Sequence, residues 1–316
     1  GEVNGGLYHG PPAELVDEWA KRWDIDGLEP GALDVHAKEM EAALSVSTVP
    51  GGAPPASSVL GAGADALGWR AMEVPRWYRY TDDRPARGTR QSMSRTFVPR
   101  AVAAGARLLP DARIAKLTRR GSRVTSARGT VLGDDGVVRP LELTAEHVFV
   151  CCGAIGTPSL LQRSGIRRNV GRSLKLHPTA KMAARFPDAE SDHGYVPMHQ
   201  VKEFSPDLTL GGSVFRPGYV ALALAESWEA QGDAVRDWES MAVYYASIRS
   251  DGHGRVISVP GLSSPVVTYS SPDSDLSRLA RGLVHLAELL FAAGAERLFP
   301  SVAGAPALES PADIPK

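Results

Sequence analysis

Cysteine is nearly absent: the 316 residues contain two, Cys151 and Cys152, and they are neighbours. Adjacent thiols cannot staple a fold, because a disulfide needs separated and suitably oriented Cα atoms. A disulfide-built secreted scaffold is therefore excluded, and two small buried thiols in a reducing, cytoplasmic setting are expected. Long apolar runs are missing too, and no stretch approaches the ~20 residues needed to cross a bilayer. No basic-then-apolar secretory pattern opens the sequence. An excess of one charge is also lacking: the formal net charge is −1, which speaks against a nucleic-acid or membrane-surface partner. The eight histidines are scattered without ligand-like spacing, so no metal site is expected. No internal repeat is visible. A full dinucleotide fingerprint is missing as well. The string GAGADALG at 61–68 has its third glycine late and no strand before it, and reads as a helix of small residues.

What is present centres on residues 146–178, EHVFVCCGAIGTPSLLQRSGIRRNVGRSLKLHP. Residues 147–152 form a short apolar run rich in β-branched and aromatic residues, as in a strand buried on both faces. Gly153 breaks it, and a helical run follows, with Thr157 placed to cap and Pro158 suited to the first helical position. A glycine between strand and helix permits close approach of a ligand backbone, and the helix N-terminus offers free N–H groups to a phosphate. By itself this grammar also describes an ordinary crossing in a parallel sheet.

The longer pattern is more specific. Gly153-Ala154, Thr157-Pro158, Leu160-Leu161, Ser164-Gly165-Ile166, Val170-Gly171 and His177-Pro178 follow in order. Together they resemble the second signature of the glucose–methanol–choline (GMC) flavin oxidoreductases, with Arg167 standing where that signature has another glycine. The opening string GEVNGGLYH resembles the GMC segment that lies along the flavin, and 91–99 the segment leading to the adenosine end. The resemblance implies FAD as cofactor. It names Asn4, Gly5, Gly6, Cys152, Gly153, Ala154 and Thr157 as contacts, with Ile114 where the backbone meets adenine. It also implies that residue 1 falls inside a family segment. The chain is then a piece lacking the N-terminal dinucleotide fingerprint and the C-terminal segment that carries the catalytic His. No catalytic residue is assigned, since His177 belongs to the element that closes the cofactor domain.

The rest of the chain fits this frame. Helices are predicted over 11–23, with Leu15, Trp19 and Trp23 on one apolar face, and over 30–44. Alternating runs at 113–117, 123–132 and 137–143, parted by glycine turns, predict a three-stranded meander. Beyond His177, strand-like runs at 179–186, 208–214, 219–225, 241–248, 255–259 and 266–270 predict a largely antiparallel sheet. An amphipathic helix is expected over 274–293 with Gly294 as its cap, and the 303–316 tail reads as loose.

The expected fold class is thus α/β plus α+β: a partial, glutathione-reductase-like FAD-binding domain beside an antiparallel-sheet substrate domain. The expected division is 1–30 with 96–177 for cofactor, 31–95 for a cap region, and 178–316 for substrate. Function follows from the resemblance: hydride transfer from the CH–OH group of a small-molecule alcohol, in the manner of the long-chain fatty-alcohol and sterol oxidases. Two rivals stay open, a non-catalytic or split module of the family and a flavin-containing hydroxynitrile lyase.

Overall fold

The computed structural model describes residues 5–28, 31–81, 88–187, 198–213 and 216–315. The chain divides into two compact units. One joins Gly1–Ala104, Pro178–Arg249 and Arg278–Lys316; the other joins Gly105–His177 and Ser250–Ser277. One boundary falls between residues 177 and 178; residues 1–104 group with 178–249, and residues 250–277 group with the meander.

The first unit is organised on a six-stranded sheet. Its order is Arg297–Pro300, Thr179–Arg185, Met241–Ile248, Leu208–Gly212, His199–Val201 and Ala71–Glu73, and every neighbouring pair is antiparallel. The strands Ala71–Glu73, His199–Val201 and Arg297–Pro300 were not legible as periodic runs, being three or four residues long. Residues 219–225, expected as a strand, belong instead to the helix Pro217–Leu224. That run is apolar throughout, a pattern that cannot separate a buried helix from a strand, and Pro217 at the first turn favours the helix.

Helices Pro55–Leu67 and Asp273–Ala292 supply much of the core with Leu60, Ala64, Leu286, Leu289 and Leu290, against Tyr244, Ala246 and Leu210 from the sheet. The buried Tyr244 phenol donates to the Ala56 carbonyl at 2.9 Å, so its polar atom is satisfied inside this core. The long helix ends as expected at Gly294, whose φ of 91° lets Ala295 N–H return to the Leu290 carbonyl. Helix Ala13–Trp23 buries Val16, but Trp23 is 54% exposed and lies under the Arg22 guanidinium, so its aromatic stripe is only partly core. Of the second predicted helix, Ala32–Ala43 is present, and its expected first residue Pro30 lies outside the described residues. The tail is not loose: Leu308 pairs with Leu298 and is buried, and Ser310 and Asp313 form a reciprocal capping box.

The second unit holds the predicted meander, Ala112–Arg120, Arg123–Leu132 and Val138–Leu143, antiparallel throughout. Helix Gly153–Arg163 packs on its first strand through Leu160, Leu117 and Ala127, and a hairpin of His253–Ile257 and Val266–Ser270 packs against the same helix. The expected strand at 147–152 is absent. The segment is irregular and unpaired, and Phe149 is 89% exposed. Backbone N–H and C=O groups make a strand only when a neighbour takes them, and none among the described residues does so here. For the same reason no parallel pair, the mark of the expected α/β layer, occurs among the described residues. Cys151 and Cys152 are free and exposed, not buried, because they sit on this unpaired segment.

Asp275, fully buried, ties the start of the long helix to the hairpin. Its carboxylate accepts from Ser250 Oγ, from Asp251 N–H at 3.0 Å and from Gly252 N–H at 3.2 Å. Replacing it with alanine takes this acceptor from Asp251 N–H and from Ser250 Oγ, while Gly252 N–H keeps Ser250 Oγ at 2.9 Å. Asp275→Ala is expected to destabilise the protein by about 2 kcal/mol in urea titration; an unchanged midpoint would contradict this role.

Candidate functional site

The signature residues of the second unit divide into scaffold and open face. Ser164 Oγ donates to the Leu160 carbonyl at 2.7 Å and accepts the Leu117 N–H at 2.8 Å, which fastens the helix end to the meander. Gly165 has φ of 80° and lets Ile166 N–H return to the Leu161 carbonyl, closing the helix. Gly171 has φ of 73°, and a Cβ there would lie 2.3 Å from the Val256 carbonyl. These elements are explained by packing alone.

Gly153 is different. Its φ is 77°, yet nothing lies within 4 Å of where a Cβ would stand. It opens an 11-residue helix, one turn earlier than Pro158 suggested, and Cys152 rather than Thr157 is the cap residue. Thr157 works from inside the helix, its Oγ1 accepting the Cys152 N–H at 3.1 Å. Cys152, Gly153 and Ala154 are all exposed, at a helix start whose first N–H groups have no intrahelical acceptor. An open glycine beside free N–H donors fits the close approach of a cofactor backbone carrying acceptor oxygens. Ile114 is half-buried against the same helix, at a register shift between Ile114 and Lys116.

In the first unit, Asn4 lies outside the described residues, while Gly5 and Gly6 are described, Gly6 with a φ of 76°. Gly6 is held by the strand Arg76–Arg79: Trp77 N–H donates to its carbonyl at 3.0 Å, and Leu7 bridges to Arg76. A Cβ on Gly6 would meet the Tyr78 ring at 2.3 Å and Trp77 Nε1 at 2.9 Å. Packing thus requires this glycine on one side. On the same spot, Trp77 Nε1 is a buried donor with no partner among the described residues, and such a donor fits an acceptor-rich ligand. Arg76 stacks over Tyr78 at 3.8 Å, and burial raises the Tyr80 phenol pKa against the opposing pull of Arg76.

A second group in this unit was not legible in the sequence. Gln200, Gly211 and Tyr245 lie in one row across three strands, and Lys181 continues it beyond Tyr245. Gly211 leaves room for the tyrosine, since a Cβ there would be 2.5 Å from Tyr245 Oη. Gln200 Nε2 donates to that oxygen at 3.0 Å. Burial and then the Lys202 charge lower the His9 pKa, opposed by a hydrogen bond to the Gln200 side chain, and burial likewise lowers Lys202. Tyr245 is raised by burial, against the hydrogen bond from Gln200. The only sequence signal was polar residues alternating with Val201; the row itself depends on strand register.

Comparison with known proteins fits this picture. Residues 1–179 match the family described as GMC oxidoreductase, and the chain belongs to that family. An uncharacterized GMC-type oxidoreductase of Sinorhizobium fredii is 34% identical over 99% of this chain and 63% of its own length. A long-chain-alcohol oxidase of Arabidopsis thaliana is 27% identical over 50% of this chain and 22% of its own. Among solved structures, pyridoxine 4-oxidase from Mesorbium loti superposes with a TM-score of 0.57 at 17% identity, over 85% of this chain and 57% of that one. An FAD-dependent oxidoreductase from Chaetomium thermophilum gives 0.60 at 13%, over 92% and 67%. The chain spans 63% and 50% of the length of the first two curated relatives it matches. Family membership implies FAD as the cofactor. No helix among the described residues is long and apolar enough to cross a membrane.

Proposed function

We propose that this chain is the part of an FAD-dependent oxidoreductase that acts on the CH–OH group of an alcohol. The observation that carries the reading is Gly153: a left-handed glycine with open space before it, at a helix start inside the matched family region. Gly5, Gly6, Ile114, Cys152, Gly153, Ala154 and Thr157 are proposed as cofactor contacts, together with Asn4. When bound, FAD supplies the acceptor for a hydride leaving the alcohol carbon. The chain's own part is to admit the cofactor at Gly153, to present N–H donors there, and to offer Trp77 Nε1 beside Gly6. The functional division proposed is cofactor residues 1–30 and 96–177, cap residues 31–95 and substrate residues 178–316; five of the six strands of the larger sheet lie in the last of these spans. Likeness to the long-chain-alcohol oxidases of Arabidopsis supports a long-chain alcohol as substrate. Exposed free thiols accord with a cytoplasmic setting.

Gly153→Val tests the cofactor assignment. No atom of the described residues lies within 4 Å of the added Cβ, so the structural cost is chiefly the left-handed backbone, about 1–2 kcal/mol. Full-length protein carrying the substitution is expected to keep its far-ultraviolet circular dichroism and lose at least about tenfold in FAD affinity. Unchanged FAD content would remove Gly153 from the site. The activity is tested by aldehyde formation from 1-dodecanol by the full-length protein, with glucose as comparison. Cleavage of a cyanohydrin without net oxidation would point to the lyase instead.

A further inference from the structure

We propose that a small-molecule site lies at one edge of the six-stranded sheet, built on Gln231, Arg185 and Arg297, and that it takes a neutral primary carboxamide carried on an apolar body. The site does not depend on the alcohol-oxidoreductase reading. A cavity of about 240 Å³ lies where the strands Thr179–Arg185 and Arg297–Pro300 meet the short helical turns that begin at Trp228. Met241 and Phe299, both buried, line it together with Ala230 and Ala234, so the body of a ligand would rest on apolar surface.

The first argument is a buried acceptor with nothing to accept. Gln231 lines this cavity and is 6% exposed. Its Nε2 donates to the Ala305 carbonyl at 2.8 Å, which fastens the helix Trp228–Gln231 to the loop beyond Pro300. A carbonyl oxygen can only accept, so the prong that meets Ala305 is the nitrogen and the amide cannot be turned over. The other prong is then the oxygen, and Oε1 has no hydrogen-bond partner among the described residues. Tethering the helix explains Nε2 and leaves Oε1 without explanation, since buried amide oxygens normally find a donor. A ligand that completes the site brings that donor.

The second argument is charge. Arg185 and Arg297 stand directly opposite each other on neighbouring antiparallel strands, where like charges repel. Carboxylates compensate both: Arg185 lies 3.5 Å from Asp237 and 3.4 Å from Glu296, and Arg297 lies 2.8 Å from Glu309. Asp233, also on the lining, pairs with Arg236 at 3.1 Å. Each charged group of the lining thus has an opposite partner already. A carboxylate ligand would face Asp233 and Asp237, and an ammonium would face both arginines. What the guanidinium groups keep is N–H capacity, since each carries more donors than these contacts engage. The matching ligand is therefore neutral, donates at one atom and accepts at another. A primary carboxamide does both, its N–H going to Gln231 Oε1 and its carbonyl oxygen accepting from a guanidinium.

The test is calorimetric titration of the full-length protein with benzamide, N,N-dimethylbenzamide, benzoate and benzylammonium. The four share a ring and differ in the donor and in charge. Benzamide is expected to bind at least about tenfold more tightly than each of the others, the scale set by one buried acceptor left unmade. Gln231→Met should erase its preference over the dimethyl amide. Ala230 is exposed at the cavity's mouth, so Ala230→Leu should leave Tm little changed and lower benzamide affinity about tenfold by filling the space. Ala230→Leu decides the matter alone if Gln231→Met does not fold. Equal binding of benzamide and N,N-dimethylbenzamide overturns the site. Benzamide binding that Ala230→Leu leaves intact belongs elsewhere in the protein, and overturns it as well.

Discussion

Residues 1–316, expressed by themselves and desalted, are expected to hold FAD roughly a thousandfold more weakly than a flavin-retaining GMC oxidoreductase. A dinucleotide pyrophosphate is normally gripped by a glycine turn at a helix N-terminus. The one glycine cluster that imitates such a turn, 61–68, lies within and just past the helix Pro55–Leu67, where its N–H groups serve the helix itself. Gly61 faces His199 and Gly63 faces Leu289, so neither fronts open space. Gly153 remains, but a single glycine and one helix start replace only part of the grip. Hydrogen bonds to charged groups contribute about 1.5–3 kcal/mol each, and each ~1.4 kcal/mol is a factor of ten, so two or three missing bonds amount to about a thousandfold. Fluorescence titration of FAD into the purified span measures this. A stoichiometric flavin band surviving desalting would overturn it.

Gly63→Val should be among the most damaging single substitutions in the first unit. Helices Pro55–Leu67 and Asp273–Ala292 approach so closely that a Cβ at 63 would lie 2.4 Å from the Leu289 carbonyl oxygen and 3.1 Å from its Cγ. The obstacle is backbone in a fully buried position, which cannot turn aside as an exposed side chain would. Overpacking of this kind costs about 3 kcal/mol or more, read as a lowering of Tm by roughly 6–12 °C. Gly218→Ala is the control, since nothing lies within 4 Å of its added Cβ in the helix Pro217–Leu224. Equal stability of the two variants would mean that the helices separate without penalty.

Much of this fold was legible in the residues. The meander announced itself through alternation and glycine turns, the long helix through leucines at helical spacing, and half of the six-stranded sheet through short β-rich runs. The misreadings share one cause, that a segment's state depends on its neighbours. Residues 147–152 carry strand composition but have no partner strand among the described residues, so they stay irregular and leave Phe149 and both cysteines exposed. Residues 219–225 carry the same apolar character and become helix, since Pro217 sets the first turn. The site divides in the same way. Gly153 could be singled out because glycine between a β-rich run and a helix has a local meaning. Gln200, Gly211 and Tyr245 could not, because what joins them is strand register across 45 residues of chain. His9 looked like part of a turn, and its setting depends on Gln200 and Lys202, almost two hundred positions away.

The account stands most directly on anaerobic reduction of the flavin in the full-length protein. Purified enzyme mixed with a long-chain primary alcohol under nitrogen should lose its flavin absorbance near 450 nm (an approximate, flavin-intrinsic value), and admitting an oxidant should restore it. The corresponding alkane should leave the spectrum unchanged, because hydride departure depends on the hydroxyl proton being taken. A protein that holds FAD yet keeps its full absorbance with every alcohol offered would contradict the proposed activity.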